Sequence, residues 1–428
     1  PTTYIDLTTT QVFRDPSAWY HLVLAVDTTQ ATSANRVKLY VNGSQVTALS
    51  TATYPSQNYD TGINTNTAHY IGRYSAGNNN FVDGYLSDMY FVDGQALEPY
   101  YFGNNDGNGV WKPIPYYGMY GTNGFHLPFS NIALTSGSNT GLGQDTSGNG
   151  NYWNTNNISV TAGTTYDAMI DSPTNASASA TQPVGNYAVW NPLDSTLSSI
   201  SGGVRDANLT VGNPVDLVIR GIRSTFQIPT TGKWYWECGW YNTTTTGYIG
   251  IGNATTSLSA NLGSSSTGYS YNPNGNKYNN GTGTAYGSTF TNGDVIGIAF
   301  DADNGKIWFS KNGTWQASGD PVAGTNAAFT GLTAGNYFPM ATVYYGDNWL
   351  CTFGQRPFSY TPPSGYKALC TTNLSTPTIM RGNQYMDATL WSGNGTSQSI
   401  VNAGQFKPDW VWVKTRSTTY NNLSLIHI

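Results

Sequence analysis

Over no length does this chain carry the 3.6-residue apolar period of a helix. Its apolar residues come in short β-branched or aromatic runs separated by Gly, Asn and Asp. The segment Gly293–Trp315, GDVIGIAFDADNGKIWFSKNGTW, shows the pattern most clearly. Val295 to Phe300 is an apolar, β-branched run. Asp303-Asn304-Gly305 is turn chemistry, because Asn and Gly tolerate positive φ. Ile307 and Phe309 then alternate with Trp308 and Ser310, the period of a half-buried strand, and Asn312-Gly313 turns the chain again. A chain built from such units folds as an all-β protein.

At 428 residues two or three domains are expected. The composition is 38% hydrophobic, with 31 Tyr and 13 Trp, which suffices for real cores in which large aromatics supply much of the buried area. Only 10% of residues are charged and the net charge is −5. No Lys/Arg cluster offers a nucleic-acid footprint, and no apolar run approaches the roughly 18 residues of a membrane helix. Low charge with abundant Asn, Thr and Tyr suits an extracellular or virion surface. Cys238, Cys351 and Cys370 lack metal-ligand spacing and read as small buried hydrophobes, with a Cys351–Cys370 disulfide possible but not demanded.

Along the chain, residues 1–102 form a first β block, with strands in AWYHLVLAVD, NRVKLYVNG, HYIGRY and FVDGYLSDMYFVDGQAL. Residues 103–185, rich in Gly, Asn, Ser and Thr, read as a connector of irregular loops tied down by Tyr152 and Trp153 and packed on its neighbours. Residues 186–371 form a second large block, in which GKWYWECGW puts Trp234, Trp236, Cys238 and Trp240 on one strand face. Residues 372–422 begin a further β unit. The last six residues, LSLIHI (423–428), match one translated frame of a sequencing-library adapter and read as read-through, with the natural protein continuing elsewhere. The alternative is a genuine short terminal strand.

One device occurs twice. AVD, nine residues, then VKLYVNG in the first block parallels AFD, five residues, then IWFSKNG in the second. Asp27 parallels Asp301, and Asn42-Gly43 parallels Asn312-Gly313. Two related sandwich cores would explain this; convergent hairpin chemistry is the alternative.

These residues also carry family resemblances. DPSAWYHLVLAVD…RVKLYVNG…IGR…FVDGYLSDMYFVDGQALEP resembles the pentraxin/laminin-G branch of concanavalin A-like lectin domains, over about half a full sandwich. GKWYWE…YIGIGN…GYSY…GDVIGIAFDADNGKIWFSKNGTW…YFPMATVYYGD…FGQRPFSYTPPSGYKAL resembles the SPRY (B30.2) domain. The tail FKPDWVWVKTRS is similar to a repeat that follows such modules in phage tail proteins. The resemblance implies two concanavalin A-like antiparallel β-sandwiches, the first truncated and so left with an exposed, unpaired edge, plus a partial third β unit. It implies binding modules: sugars or calcium-bridged ligands for the first block, mostly peptides and proteins for the second.

Little here promises catalysis. Glycoside hydrolysis needs a pair of carboxylic acids, and the two glutamates, Glu98 and Glu237, lie in different blocks. Glu237, inside WYWECGW, reads as structural. Asp83, Asp88 and Asp93 recur beside turn glycines. His21 reads as a packed strand histidine; His69, His126 and His427 complete the set. No GxSxG, HExxH, P-loop or CxxC occurs. A rim Ca2+ site is conceivable at Asp27, Asn78, Asn79, Asn80 and Asp83, since Asp and Asn oxygens suit a hard cation; plain turn residues are the alternative. Ligand-binding candidates are loop residues with sugar-compatible faces. One cluster is Tyr269, Tyr271, Asn272, Asn274, Asn276 and Tyr278; another is Tyr344, Tyr345, Asp347 and Trp349.

The expected function is non-enzymatic recognition of a host surface glycan or protein by a phage tail-fibre or virion-surface protein. Other virion subunits would be partners and homo-oligomers are possible; nucleic acid and membrane insertion are not expected. The alternatives are a spacer role in a virion, or binding modules of a secreted carbohydrate-active enzyme.

Overall fold

The computed structural model describes residues 5–13, 18–73, 81–82, 84–106, 110–161, 166–172, 185–215, 217–242, 246–333, 335–375, 378–379, 382–402, 404–415, 419, 421 and 423–426. Among them there is no α-helix, only short 3-10 turns between strands. In the first block these are β1 (Asp6–Thr9), β2 (Leu22–Val26), β3 (Val37–Val41), β4 (Ser44–Gln45), β5 (Leu49–Thr53) and β6 (Met89–Phe91). Then come β7 (Gly103–Asn105), β8 (Trp111–Pro113) and β9 (Phe125–Leu127). They pair as β2-β3-β4, β1-β5, β6-β9 and β7-β8, small antiparallel sheets that among the described residues do not join into one.

The second block opens with β10 (Trp190–Ser195), β11 (Val204–Arg205), β12 (Thr210–Gly212), β13 (Arg220–Ser224), β14 (Lys233–Trp240) and β15 (Tyr248–Gly252). It continues with β16 (Gly268–Tyr271), β17 (Asn276–Asn279), β18 (Thr282–Ala285), β19 (Val295–Asp301), β20 (Lys306–Lys311) and β21 (Thr314–Trp315). β22 (Phe338–Val343), β23 (Asn348–Thr352) and β24 (Lys367–Ala368) complete it. One sheet runs β10-β13-β22-β15-β16-β17-β18; the other runs β11-β12-β23-β14-β19-β20-β21, with β24 added parallel to β14. Trp234, Trp236, Cys238 and Trp240 share the β14 face turned into the core between the sheets, with Ile296, Ile298, Phe300, Ile307 and Phe309. This is an antiparallel sandwich of the expected class. In the tail, β25 (Trp410–Val413) pairs with β26 (Leu423–Ile426). Four residues alternating as LSLI suit a strand whatever encoded them.

Three expectations need correction. The β20 strand is not half-buried: Trp308 and Ser310 are as buried as Ile307 and Phe309. The outer face that would meet water is covered by Tyr235, Trp315, Phe358 and Tyr366, the last two from a segment remote in sequence. The disulfide is Cys238–Cys351, not Cys351–Cys370. Cys238 and Cys351 stand directly opposite in the β14–β23 ladder, while Cys370 is a buried free thiol near Tyr187. The loops after residue 102 are also less separate than a connector suggests. Phe102 and Tyr116 pack with Val23, Ala25 and Tyr40, and β9 pairs with β6, so this stretch builds the first block's core.

The Asn-rich loop around Trp153 is organised by one carboxylate. Buried Asp145 accepts hydrogen bonds from the backbone N–H groups of His126 (2.9 Å), Ser147 (2.9 Å) and Asn151 (2.8 Å) and from the Ser147 hydroxyl (2.9 Å). Burial works against its charge, but those bonds outweigh it and hold the carboxyl below its ordinary range. Asn149 and Asn151 donate onward to the carbonyls of Gly121, Gly124 and Thr122. Trp153 meets Phe125 edge-on at 5.2 Å.

The duplicated hairpin is reproduced atom for atom in its turn. Asn42 Oδ1 accepts from His21 N (2.9 Å), and Asn42 N donates to His21 O (2.9 Å). Asn312 does the same with Val295, at 2.8 Å for both bonds. Both asparagines hold positive φ, 47° and 49°. Asp27 and Asp301 each close the loop that follows, through Thr29 and Gln30 in one and Asn304 in the other.

Candidate functional site

The second sandwich ends in loops that converge on Asp347. Its carboxylate is buried, yet accepts hydrogen bonds from Asn242 Nδ2 (3.0 Å), Thr246 Oγ1 (2.9 Å) and Tyr344 N (2.7 Å). Its backbone carbonyl accepts from Asn213 N (3.1 Å), and Gly346 N donates to Asn213 O (2.7 Å). Asn213, itself buried, donates to Val218 O (2.9 Å) and so holds its own loop. A buried Asn272 ties in the loop after β16 by donating to Gly247 O (3.0 Å). Four loops are thereby fixed by side chains that water does not reach, which is how a loop surface becomes rigid.

Beneath them, Trp240 and Trp349 pack with centroids 4.6 Å apart. Gly247 lies directly on the Trp240 ring, where a Cβ would not fit. Outward, the same loops present Val215 (65% exposed), Leu217 (71%), Val218 (51%) and Tyr345 (51%). Exposed side chains on loops braced from below stand where recognition residues commonly sit.

The two sequence-derived clusters are therefore brought together at 242–247, but mostly as supports. Tyr271, Asn272, Asp347 and Trp349 are buried and correct the expectation that they meet ligand directly. Tyr271 donates from its hydroxyl to Ser288 O (2.5 Å) inside the core. Tyr269 packs on Phe329 and Tyr337. Asn274 donates to the Tyr278 hydroxyl (2.8 Å) and accepts from Asn276 N (2.9 Å), so this loop spends its polar groups on itself. Tyr278 also packs edge-on against Tyr248 at 5.1 Å. Tyr344 is half-buried. Of these residues Tyr345 stands well out from the surface. Val215, Leu217 and Val218 carry no signal in the sequence, because aliphatics beside Pro214 read as interior; the Asn/Thr density around 242–246 is the feature that could have marked this end.

Of the calcium candidates, Asn78, Asn79, Asn80 and Asp83 lie outside the described residues. Asp27 spends both carboxylate oxygens on Thr29 and Gln30 of its own turn, bonds that hold its carboxyl low. Among the described residues no three His, Cys, Asp or Glu side chains gather in a metal-binding arrangement.

Glu237 is buried and structural. It accepts from the Tyr235 hydroxyl (2.7 Å), Ser359 N (2.7 Å) and Tyr360 N (3.0 Å), and burial raises its pKa. Among the described residues it is the sole carboxylate lining a small cleft of about 40 Å3 with Tyr241 and Arg356, which is not the paired-acid geometry of glycoside hydrolysis. His21 Nδ1 accepts from Trp111 Nε1 (2.9 Å), and burial lowers its pKa. His126 stacks on Tyr90 at 4.2 Å between Asp88 (2.6 Å) and the Thr146 hydroxyl (2.7 Å).

Comparison with known proteins agrees with this architecture. Residues 233–356 match the SPRY domain family, and residues 2–99 match the concanavalin A-like lectin/glucanases superfamily. The chain thus carries two domains of binding-module type. Similar proteins include Ran-binding protein 9 of Xenopus tropicalis, 33% identical over 144 residues, covering 32% of this chain and 25% of that protein. Ran-binding protein 10 of Danio rerio is 31% identical over 144 residues, covering 32% and 22%. The ATP-dependent RNA helicase Ddx1 of Drosophila melanogaster is 29% identical over 153 residues, covering 35% and 19%. The matches span about a fifth to a quarter of the length of these relatives.

Proposed function

We propose that the chain is a non-enzymatic recognition module of a virion-surface or cell-surface protein, with a phage tail fibre as the favoured setting. It binds a host surface protein through the Asp347-braced end of its SPRY domain. The observation that carries this reading is the exposure of Val215, Leu217 and Val218 on one loop and of Tyr345 on another, the two loops being joined through Asn213, Gly346 and Asp347. Aliphatic side chains favour a peptide or protein with an apolar anchor over a neutral sugar, whose recognition rests on aromatic faces and polar groups. Low charge and Asn/Thr/Gly-rich surface loops support the extracellular setting. Repeated copies on a fibre would raise avidity through effective concentration, so each site can be weak.

The test is a random-peptide display selection against the purified chain, run beside a glycan array, each with Ca2+ and again with chelator. Peptides sharing an apolar anchor and bound without regard to Ca2+ support the proposal. Glycan binding lost on chelation would instead place recognition on the first block.

A further inference from the structure

Along β14 and the residue after it, Tyr235, Glu237, Gly239 and Tyr241 alternate with the core-facing Trp236, Cys238 and Trp240, and so share the outer face of the sheet. The segment after β23 covers part of that face. Phe358 meets Tyr235 edge-on at 4.9 Å, and Ser359 N and Tyr360 N donate to Glu237. Gly239, the next residue on the face, leaves a gap where a side chain would stand. The gap belongs to the cleft of about 40 Å3, lined by buried Glu237, Gly239 and Arg356 and by half-buried Tyr241, Thr352 and Pro357. This is not a strand edge that a further strand would complete, because β14 is paired on both sides, with β19 and with β23.

Arg356 is 4% exposed. Its Nη2 donates to the Tyr85 hydroxyl (2.6 Å) and to Asp206 Oδ1 (2.8 Å), while its Nε–H is buried and has no acceptor among the described residues. Buried donors are rarely left so, and one on a residue that lines a cleft calls for an acceptor entering from outside. Charge narrows the choice. Asp206 already balances the guanidinium and Glu237 lies in the same cleft, so an anion is repelled there, while the guanidinium repels a cation. A neutral group fits if it offers an acceptor to Arg356 and a donor toward the Glu237 carboxylate. An amide carries both. At about 10–15 Å3 for one water, the cleft has room for about three non-hydrogen atoms, the size of a terminal carboxamide.

We propose that this cleft is a subsite for the side-chain carboxamide of an asparagine or glutamine on a bound peptide or protein. The carbonyl oxygen accepts from Arg356 Nε, and the NH2 group faces Glu237, which keeps its structural bonds. Of the residues that brace the loop surface, Asn213, Asn242, Thr246, Asn272 and Asp347, none lines the cleft. The two assignments therefore fail separately.

The test is heteronuclear NMR of the intact chain labelled at arginine, with acetamide added as the minimal carboxamide. The signal followed is the Arg356 Nε–H, assigned by its absence in Arg356→Lys. It should move saturably at millimolar acetamide, since weak binding suits so small a fragment. Acetate and methylammonium, which carry a charge into the same cleft, should bind at least about tenfold more weakly. Gly239→Ala places a methyl group in the gap, 3.0 Å from Tyr241 Cε2, and that half-buried ring can shift to admit it. This variant should lose acetamide binding while its thermal melting and its Arg356 signal persist. The comparison of the three probes can be repeated by calorimetry on the wild type alone, so it stands even if a variant fails to fold. No saturable shift, an equal response to acetate, or binding that survives Gly239→Ala would each overturn the proposal.

Discussion

Asp347 shows how a single buried carboxylate can define a surface it never touches. Three donors from two loops point at it, and its backbone holds a third loop. Asp347→Ala leaves Asn242, Thr246 and the Tyr344 N–H facing an apolar methyl, at a cost of about 3 kcal/mol. Chemical denaturation should show that loss, with hydrogen-exchange protection falling first at 213–218 and 344–347. Asp171 makes a different kind of statement. Burial raises its pKa to about 6, although Tyr187 N and the Trp19 side chain both donate to it. The folded protein therefore holds that proton more tightly than the unfolded chain, whose carboxyl titrates near 3.8. Its favourable contribution is complete below pH 3.8 and is lost as pH rises through about 6. A gap of this size is worth up to about 3 kcal/mol. Between pH 4 and 7 this carboxyl contributes a loss of stability with rising pH, opposed by His21, whose lowered pKa favours the folded state as pH rises, and Asp171→Asn should remove the Asp171 contribution to the slope in the same window. An identical slope in the variant would assign the effect elsewhere.

Elements made by neighbours in sequence are the legible ones. Asp301 and Asn304, or Asn312 and Gly313, act within a few residues, so turn chemistry alone marks both copies of the hairpin. What covers a strand from afar is not legible in the same way. Trp308 and Ser310 look half-exposed until Phe358 and Tyr366 arrive. The same blindness affects the site. Tyr, Trp, Asn and Asp serve cores and ligands alike, so Tyr271, Asn272, Asp347 and Trp349 read as contacts when they are supports, while Leu217 carries no site signal of its own. Cysteine pairing is set by ladder register, which spacing does not reveal. Peptide mapping without reductant should find Cys238 joined to Cys351 and Cys370 as a thiol that alkylates only after unfolding. A Cys351–Cys370 peptide would contradict the β14–β23 register.

At the scale of the whole molecule, the two β modules differ in how far their sheets join among the described residues. The SPRY domain closes its core between two sheets and offers loops at its end; the lectin-like block leaves an apolar strand open among the described residues. With 10% charged residues and a net charge of −5, the recognition we propose would rest on shape and apolar contact more than on long-range fields. The central claim is that the Asp347-braced loops carry that recognition. Its most direct test is the affinity of a selected apolar-anchor peptide for the wild type, for Leu217→Lys with Tyr345→Ala, and for Leu24→Lys. The account predicts that the loop variant loses binding by at least about a hundredfold, the scale of a buried anchor, while Leu24→Lys binds as the wild type does. Equal affinity of the loop variant and the wild type would contradict it.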